Sequence, residues 1–272
     1  MKILQRITVA VFAAALCVFG LFYWKEKTTA DHTIPRLVIE TPELEVNVGD
    51  RKEDLMKGVT AWDEKDGDLT DKVLVEAVSP FVEKGVSTIT YAVADSDSHV
   101  VKGSRTIRFR DYYSPTFYLK SPLIFSLEEQ VNIRELIGAV DCVQGDITDR
   151  VVITATNYVP GQPGSYAVTV QVSNQLGDRV YLTLPIVVEE QSQYEPEISL
   201  QVGMTYVKRG ETPDFRSYLM EVIDRGVPMT GYDLRISTDF DPDVPGVYTV
   251  HYYVTNDAGY EGHSMLIAVV ER

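Results

Sequence analysis

The chain has 272 residues, 44% hydrophobic and 24% charged, with a formal net charge of −15. These fractions are ordinary for globular domains and exclude wholesale disorder, and the length holds two domains, or three small ones. Four of the 25 basic and one of the 40 acidic residues fall in residues 1–27, leaving −18 on residues 28–272, a surface that repels phosphate backbones and argues against nucleic acid as a partner.

The first element is an apolar run. Ile7 to Trp24 (ITVAVFAAALCVFGLFYW) carries no charge, is preceded by Lys2 and Arg6, and closes on Lys25-Glu26-Lys27. As a helix it covers roughly 27 Å at 1.5 Å per residue, close to the ~30 Å hydrocarbon core of a bilayer. A cleaved signal peptide is the competing reading. Its apolar region is shorter and ends on small residues, whereas this run ends on Phe22, Tyr23 and Trp24, which suit a membrane interface. Residues 1–27 are therefore expected to form an uncleaved transmembrane anchor, with membrane contact through residues 7–24. Residues 28–33 form a linker, and residues 28–272 are expected outside the cytoplasm. Only two cysteines occur, Cys17 inside the run and Cys142 far from it. A disulfide-stapled scaffold is excluded, which fits a bacterial envelope, and Cys142 is expected to pack as a small hydrophobe.

Beyond residue 33 the sequence repeats itself. Asp63-Glu-Lys-Asp-Gly67-Asp68-Leu-Thr70-Asp-Lys-Val73 recurs as Asp141-Cys-Val-Gln-Gly145-Asp146-Ile-Thr148-Asp-Arg-Val151. A second landmark follows: Gly85 before STITYAVAD, Gly164 before SYAVTVQVSN and Gly246 before VYTVHYYVTN. Even positions from each glycine read Ser87, Ile89, Tyr91, Val93; Tyr166, Val168, Val170, Val172; Tyr248, Val250, Tyr252, Val254. This period-two pattern marks half-buried strands, each ending in a turn-forming Asp or Asn. The expected fold is all-β, three tandem immunoglobulin-like β-sandwich domains at 34–111, 112–190 and 194–272. Short helical turns are expected near Asp50–Met56, Asn132–Ile137 and Pro213–Leu219.

The order Asp, Gly-Asp-Leu/Ile-Thr, Val, then Gly-x-Tyr, alternating strand and Asp/Asn turn, resembles the bacterial Ig-like domains that occur in tandem on surface proteins. Members of that group, of unassigned function, also occur in some pesticidal crystal proteins. The resemblance implies a β-sandwich and a surface role, and carries no catalytic residues. It departs in the first repeat, where Ser87 takes the tyrosine position, and in the third, which has VIDRGVPMTGYDLRI in place of Gly-Asp-Leu-Thr.

Two constellations invite binding chemistry. Asp63, Asp66 and Asp68, followed by Asp71, cluster carboxylates as a calcium site would, although the spacing is not that of an EF-hand. Strand-ending turns account for the same residues. Tyr112, Tyr113, Phe117 and Tyr118 flank Pro115 at a repeat boundary, where they would form a sugar- or peptide-binding platform or pack between domains. Four histidines (His32, His99, His251, His263) show no metal-ligand spacing, and no nucleophile elbow, phosphate loop or zinc-protease motif occurs, so no enzyme activity is expected. The function expected is a membrane-anchored, non-catalytic adhesion, spacer or assembly module with a protein or cell-wall glycan ligand. The alternatives are a carbohydrate- or peptidoglycan-binding protein, and an accessory subunit or inhibitor of an envelope enzyme. The final strand reaches the last residues, so the chain reads as three repeats on a stalk.

Overall fold

In a computed structural model of the chain, residues 2–29 and 33–271 are described. The first element, α1 (Lys2–Thr29), is helical throughout, and Val11, Phe12, Leu16, Val18, Phe19, Leu21, Tyr23 and Trp24 expose their apolar side chains. The expectation of a spanning helix is not met in full: among the described residues, no helix is long and apolar enough to cross a membrane.

Seven strands then recur three times. The first set is β1 (Arg36–Ile39), β2 (Glu43–Val46), β3 (Val59–Asp63), β4 (Gly67–Asp68), β5 (Leu74–Val78), β6 (Val86–Ala94) and β7 (Val100–Phe109). The second is β8 (Thr116–Leu119), β9 (Ile124–Ser126), β10 (Ile137–Asp141), β11 (Gly145–Asp146), β12 (Val152–Thr156), β13 (Gly164–Ser173) and β14 (Arg179–Glu189). The third is β15 (Glu197–Leu200), β16 (Met204–Val207), β17 (Leu219–Asp224), β18 (Val227–Pro228), β19 (Leu234–Thr238), β20 (Gly246–Thr255) and β21 (Glu261–Val270). Helical turns fall where expected: α2 (Lys52–Leu55), α3 (Ile133–Leu136) and a 3-10 turn at Phe215–Tyr218.

Each set builds one three-stranded and one four-stranded sheet with the same order: β1-β3-β4 and β2-β7-β6-β5, then β8-β10-β11 and β9-β14-β13-β12, then β15-β17-β18 and β16-β21-β20-β19. The protein is thus mostly β, three tandem sandwich-like repeats. The opening segment of each repeat changes sheets midway. β1 pairs antiparallel with β3, whereas β2 runs parallel to β7. Pro42 sits at the break, where a missing N–H costs no ladder bond, and Gly203 holds the corresponding place in the third repeat.

The alternation read from sequence puts Ile89, Tyr91 and Val93, then Val168, Val170 and Val172, then Val250, Tyr252 and Val254 in the interior, each at most 1% exposed. Full burial of such a side chain contributes about 1.5–3 kcal/mol. Chain contacts divide the molecule into two compact units, Met1–Arg110 and Asp111–Arg272. Within the second unit, Met204, Met265, Ile267 and Val269 of the third repeat join the hydrophobic cluster of the second repeat. These two repeats therefore share a core. Gly203 permits the approach, because a Cβ there would meet Leu119 Cβ and the Ser121 carbonyl oxygen at 2.9 Å.

The third repeat lost its sequence motif without losing the strand pair. Asp224 and Val227 are joined by Arg225 and Gly226, at φ 47° and 80°. That two-residue hairpin turn replaces the longer Asp63–Gly67 and Asp141–Gly145 loops. Met229 N donates to Val222 O at 2.8 Å, as Leu69 N does to Ala61 O at 2.9 Å.

Candidate functional site

The repeated polar motif lies where two turns meet at one end of each sandwich. In Gly-Asp-Leu/Ile-Thr, the glycine takes φ 75°, a left-handed conformation that suits a residue without Cβ. Asp68 Oδ1 accepts from Thr70 N at 2.9 Å, and Thr70 Oγ1 accepts from Ala61 N at 3.1 Å. Asp146 and Thr148 repeat both bonds, at 2.8 Å to Thr148 N and 3.1 Å from Ala139 N. The hydrogen bonds from Thr70 and Thr148 hold the carboxyls of Asp68 and Asp146 below their ordinary range. Leu69 and Ile147 between them are buried.

The proposed calcium ligands are consumed by this turn. Asp63 is 1% exposed; its Oδ1 accepts from Lys65 N and Asp66 N at 2.8 and 3.1 Å, and its Oδ2 from Thr33 Oγ1 at 3.3 Å. Asp66 Oδ2 accepts from Ser96 N at 2.6 Å, tying the first turn to the next one, and Lys65 pairs with Asp97 across the same gap. Asp68 serves Thr70. Among the described residues, no group of three or more His, Cys, Asp and Glu side chains is placed to hold a metal ion. Each carboxylate is turned toward a local donor, which is why the cluster does not converge on a common point.

The second turn is built on Asp95, Asn174 and Asn256, all nearly buried. Asn174 Nδ2 donates to Asp141 Oδ1 at 2.9 Å and Asn256 Nδ2 to Asp224 Oδ1 at 3.1 Å, linking the two sheets. Asp95 has no donor to offer Asp63. Its Oδ1 accepts from Asp97 N and His99 N at 2.9 and 2.8 Å, and its Oδ2 lies 2.7 Å from His99 Nδ1. Burial pushes its pKa up, and the bonds from His99 and Asp97 together bring it below the ordinary value.

The four boundary aromatics do not form a platform. Phe117 is 2% exposed, with its amide donating to Tyr206 Oη at 2.9 Å. Tyr118 points to the opposite face, as strand alternation requires, and its ring lies over Gly138, where a Cβ would come within 2.1 Å of it. Tyr112 Oη donates to Asp178 Oδ2 at 2.6 Å and accepts from Asn174 Nδ2 at 2.9 Å; burial, then the Asp178 carboxylate, drive its pKa strongly upward. Tyr113 alone of the four is well exposed, and its carbonyl accepts from Cys142 Sγ at 3.1 Å. Cys142 is half-buried, and burial raises its thiol pKa.

Two features escaped the sequence reading. Trp62, on β3, is 53% exposed on the outer face of the first three-stranded sheet, beside Arg36, Val38, Thr60 and Asp68. Period-two alternation marks this position as outward, and an outward tryptophan is the signal that was available. His251 and His263, with no metal spacing in sequence, meet in space: His251 Nδ1 and His263 Nε2 are 2.9 Å apart. His263 Nδ1 is also 2.9 Å from Glu189 Oε2 of the second repeat. His32 lies outside the described residues.

No family model matches the chain. Over 139 residues, half of this chain, it is 30% identical to the pesticidal crystal protein Cry22Aa of Bacillus thuringiensis. The likeness is partial. The chain spans only 19% of that protein's length. Among solved structures, the chain is similar to the M60 catalytic domain with the CBM51-1 and CBM51-2 domains from Clostridium perfringens ZmpB, at 12% identity over 89% of this chain and 31% of that one, TM-score 0.24. It is similar to the protocadherin GammaB4 extracellular domain at 10% identity, 89% and 51% coverage and TM-score 0.23. For the lipoprotein BT2262 from Bacteroides thetaiotaomicron the values are 13%, 86% and 99%, with TM-score 0.22. Scores this low carry no argument about what the chain does.

Proposed function

We propose that the chain is a non-catalytic bacterial surface module, held at a membrane by residues 7–24 and presenting three sandwich repeats outside the cytoplasm as a spacer or binding arm. The observation that carries this reading is the threefold seven-strand plan, in which the motif aspartates and threonines are engaged as turn and sheet partners. The uncharged run Ile7–Trp24 and the exposed apolar side chains of α1 support the membrane attachment. Carbonate washing of membranes, with intact-mass measurement, tests it. The full chain is expected to resist extraction at its full mass, and a chain starting at residue 28 to be released. Extraction of the full chain, or loss of about 30 residues, would overturn the anchor.

Trp62 favours a second reading, in which the first repeat binds cell-wall glycan. An exposed indole flanked by Arg36, Thr60 and Asp68 offers an apolar face for a sugar ring with polar groups at its margin. Under this reading Trp62→Ala abolishes retention on purified cell wall. Equal retention of variant and parent would sink it.

A further inference from the structure

Trp62 stands in a row that crosses the first three-stranded sheet. β3 is the central strand, and its register places Arg36 of β1 on one side of Trp62 and Asp68 of β4 on the other. All three are exposed on the outer face, and Val38 and Thr60 form the next row. Directly opposed residues of an antiparallel pair share a face. The guanidinium, indole and carboxylate are therefore neighbours across about 10 Å of sheet, two strand spacings.

The other repeats carry the same row with different residues. It reads Thr116-Val140-Asp146 in the second repeat and Glu197-Ile223-Pro228 in the third. An aliphatic side chain thus satisfies the fold at the central position, which does not require an indole. The ground beside the row differs as well. In the second repeat the Tyr118 ring lies over Gly138 and covers it. Val38 and Thr60 hold those places in the first repeat, and a depression opens beside Trp62.

Charge also sets this row apart. Arg108 pairs with Glu43 and Glu83, Arg110 with Glu45, and Lys102 with Glu76. Among the described residues, Arg36 has no ion pair. Asp68 accepts from Thr70 N at 2.9 Å, and the Thr70 bonds hold its carboxyl below the ordinary range. It is therefore ionised at neutral pH, with room for a further donor. A ring laid on the indole meets a forked donor at one edge and an acceptor at the other.

Resting on the reading of Trp62 as a glycan site, we propose that the wall sugar it recognises carries a carboxylate. The pyranose stacks on Trp62, its carboxylate takes the Arg36 guanidinium in a two-point bond, and a ring hydroxyl donates to Asp68. A carboxylate matches the planar fork and brings a single charge. The second charge of a phosphate would face Asp68 and the net −18 of residues 28–272.

Fluorescence titration of the detergent-solubilised full chain tests this in a Trp24→Phe background, which leaves Trp62 as the reporter. The probes are a glucuronic acid oligomer and the same oligomer with its carboxylates reduced to alcohols. The acidic oligomer is expected to bind at least about tenfold more tightly, the scale of one charge-assisted pair. That preference is expected to vanish in Arg36→Gln. Equal affinity for the two probes, binding of neither, or a preference that survives in Arg36→Gln would overturn the inference. Retention of parent and Trp62→Ala on purified cell wall judges the glycan reading separately. Retention that needs Trp62, together with equal probe affinities, would remove the acidic sugar and keep the glycan site.

Discussion

At the scale of single residues, the chain shows one position solved twice in one way and once in another. Asn174 and Asn256 donate from one sheet to an aspartate of the other, whereas Asp95 turns to His99 and leaves Asp63 to Thr33. A buried hydrogen bond to a carboxylate contributes about 1.5–3 kcal/mol. Asn174→Ala is therefore expected to destabilise the second unit by that amount in urea titrations, and a shift below about 0.5 kcal/mol would contradict the role given to it. Arg105 is a second exception. It is 3% exposed where the equivalent strand positions hold Leu184 and Leu266. It donates to neutral groups: Nε to Tyr91 Oη at 2.9 Å, one terminal nitrogen to Leu55 O at 3.0 Å and the other to Thr41 Oγ1 at 3.3 Å. Replacing a buried charge by a packed hydrophobe is often neutral or favourable, whereas truncation leaves a cavity. Arg105→Leu is expected to unfold within about 1 kcal/mol of the parent and Arg105→Ala about 2–5 kcal/mol earlier, read from urea midpoints.

At the scale of elements, legibility followed periodicity. The long hairpins β6–β7, β13–β14 and β20–β21 were plain in sequence because every second residue is apolar and a turn residue closes each run. The hairpin β17–β18 was not, because Arg225-Gly226 reaches the same pairing with a turn that needs no Gly-Asp-Leu-Thr. The aspartates of the first loop read as possible metal ligands since composition shows charge but not direction; backbone donors two or three residues away absorb Asp63 and Asp68, and the Ser96 amide takes Asp66. The boundary aromatics divide for a related reason. Phe117 and Tyr118 are adjacent in sequence and so point to opposite faces of β8, one into the core and one across Gly138. The Glu189–His263 contact joins residues 74 apart on different repeats, a pairing that no local pattern announces. Docking of those repeats depends on Gly203. Gly203→Val would drive a side chain into Leu119 and the Ser121 carbonyl, so the two repeats are expected to melt in separate calorimetric steps. A single unchanged transition would show that the close approach is dispensable.

At the scale of the whole molecule, Met1–Arg110 is one compact unit with its own sandwich, and the remaining two repeats share a common core. An acidic surface of −18 over residues 28–272 suits an exterior crowded with other solutes. The proposal is that these repeats face outward from a membrane that holds α1. Protease treatment of intact bacterial cells expressing the full chain tests it most directly, with lysed cells as the reference. The account predicts that residues 28–272 are cleaved on intact cells while a short membrane-bound N-terminal fragment survives. Full-length chain protected in intact cells and degraded only after lysis would contradict it.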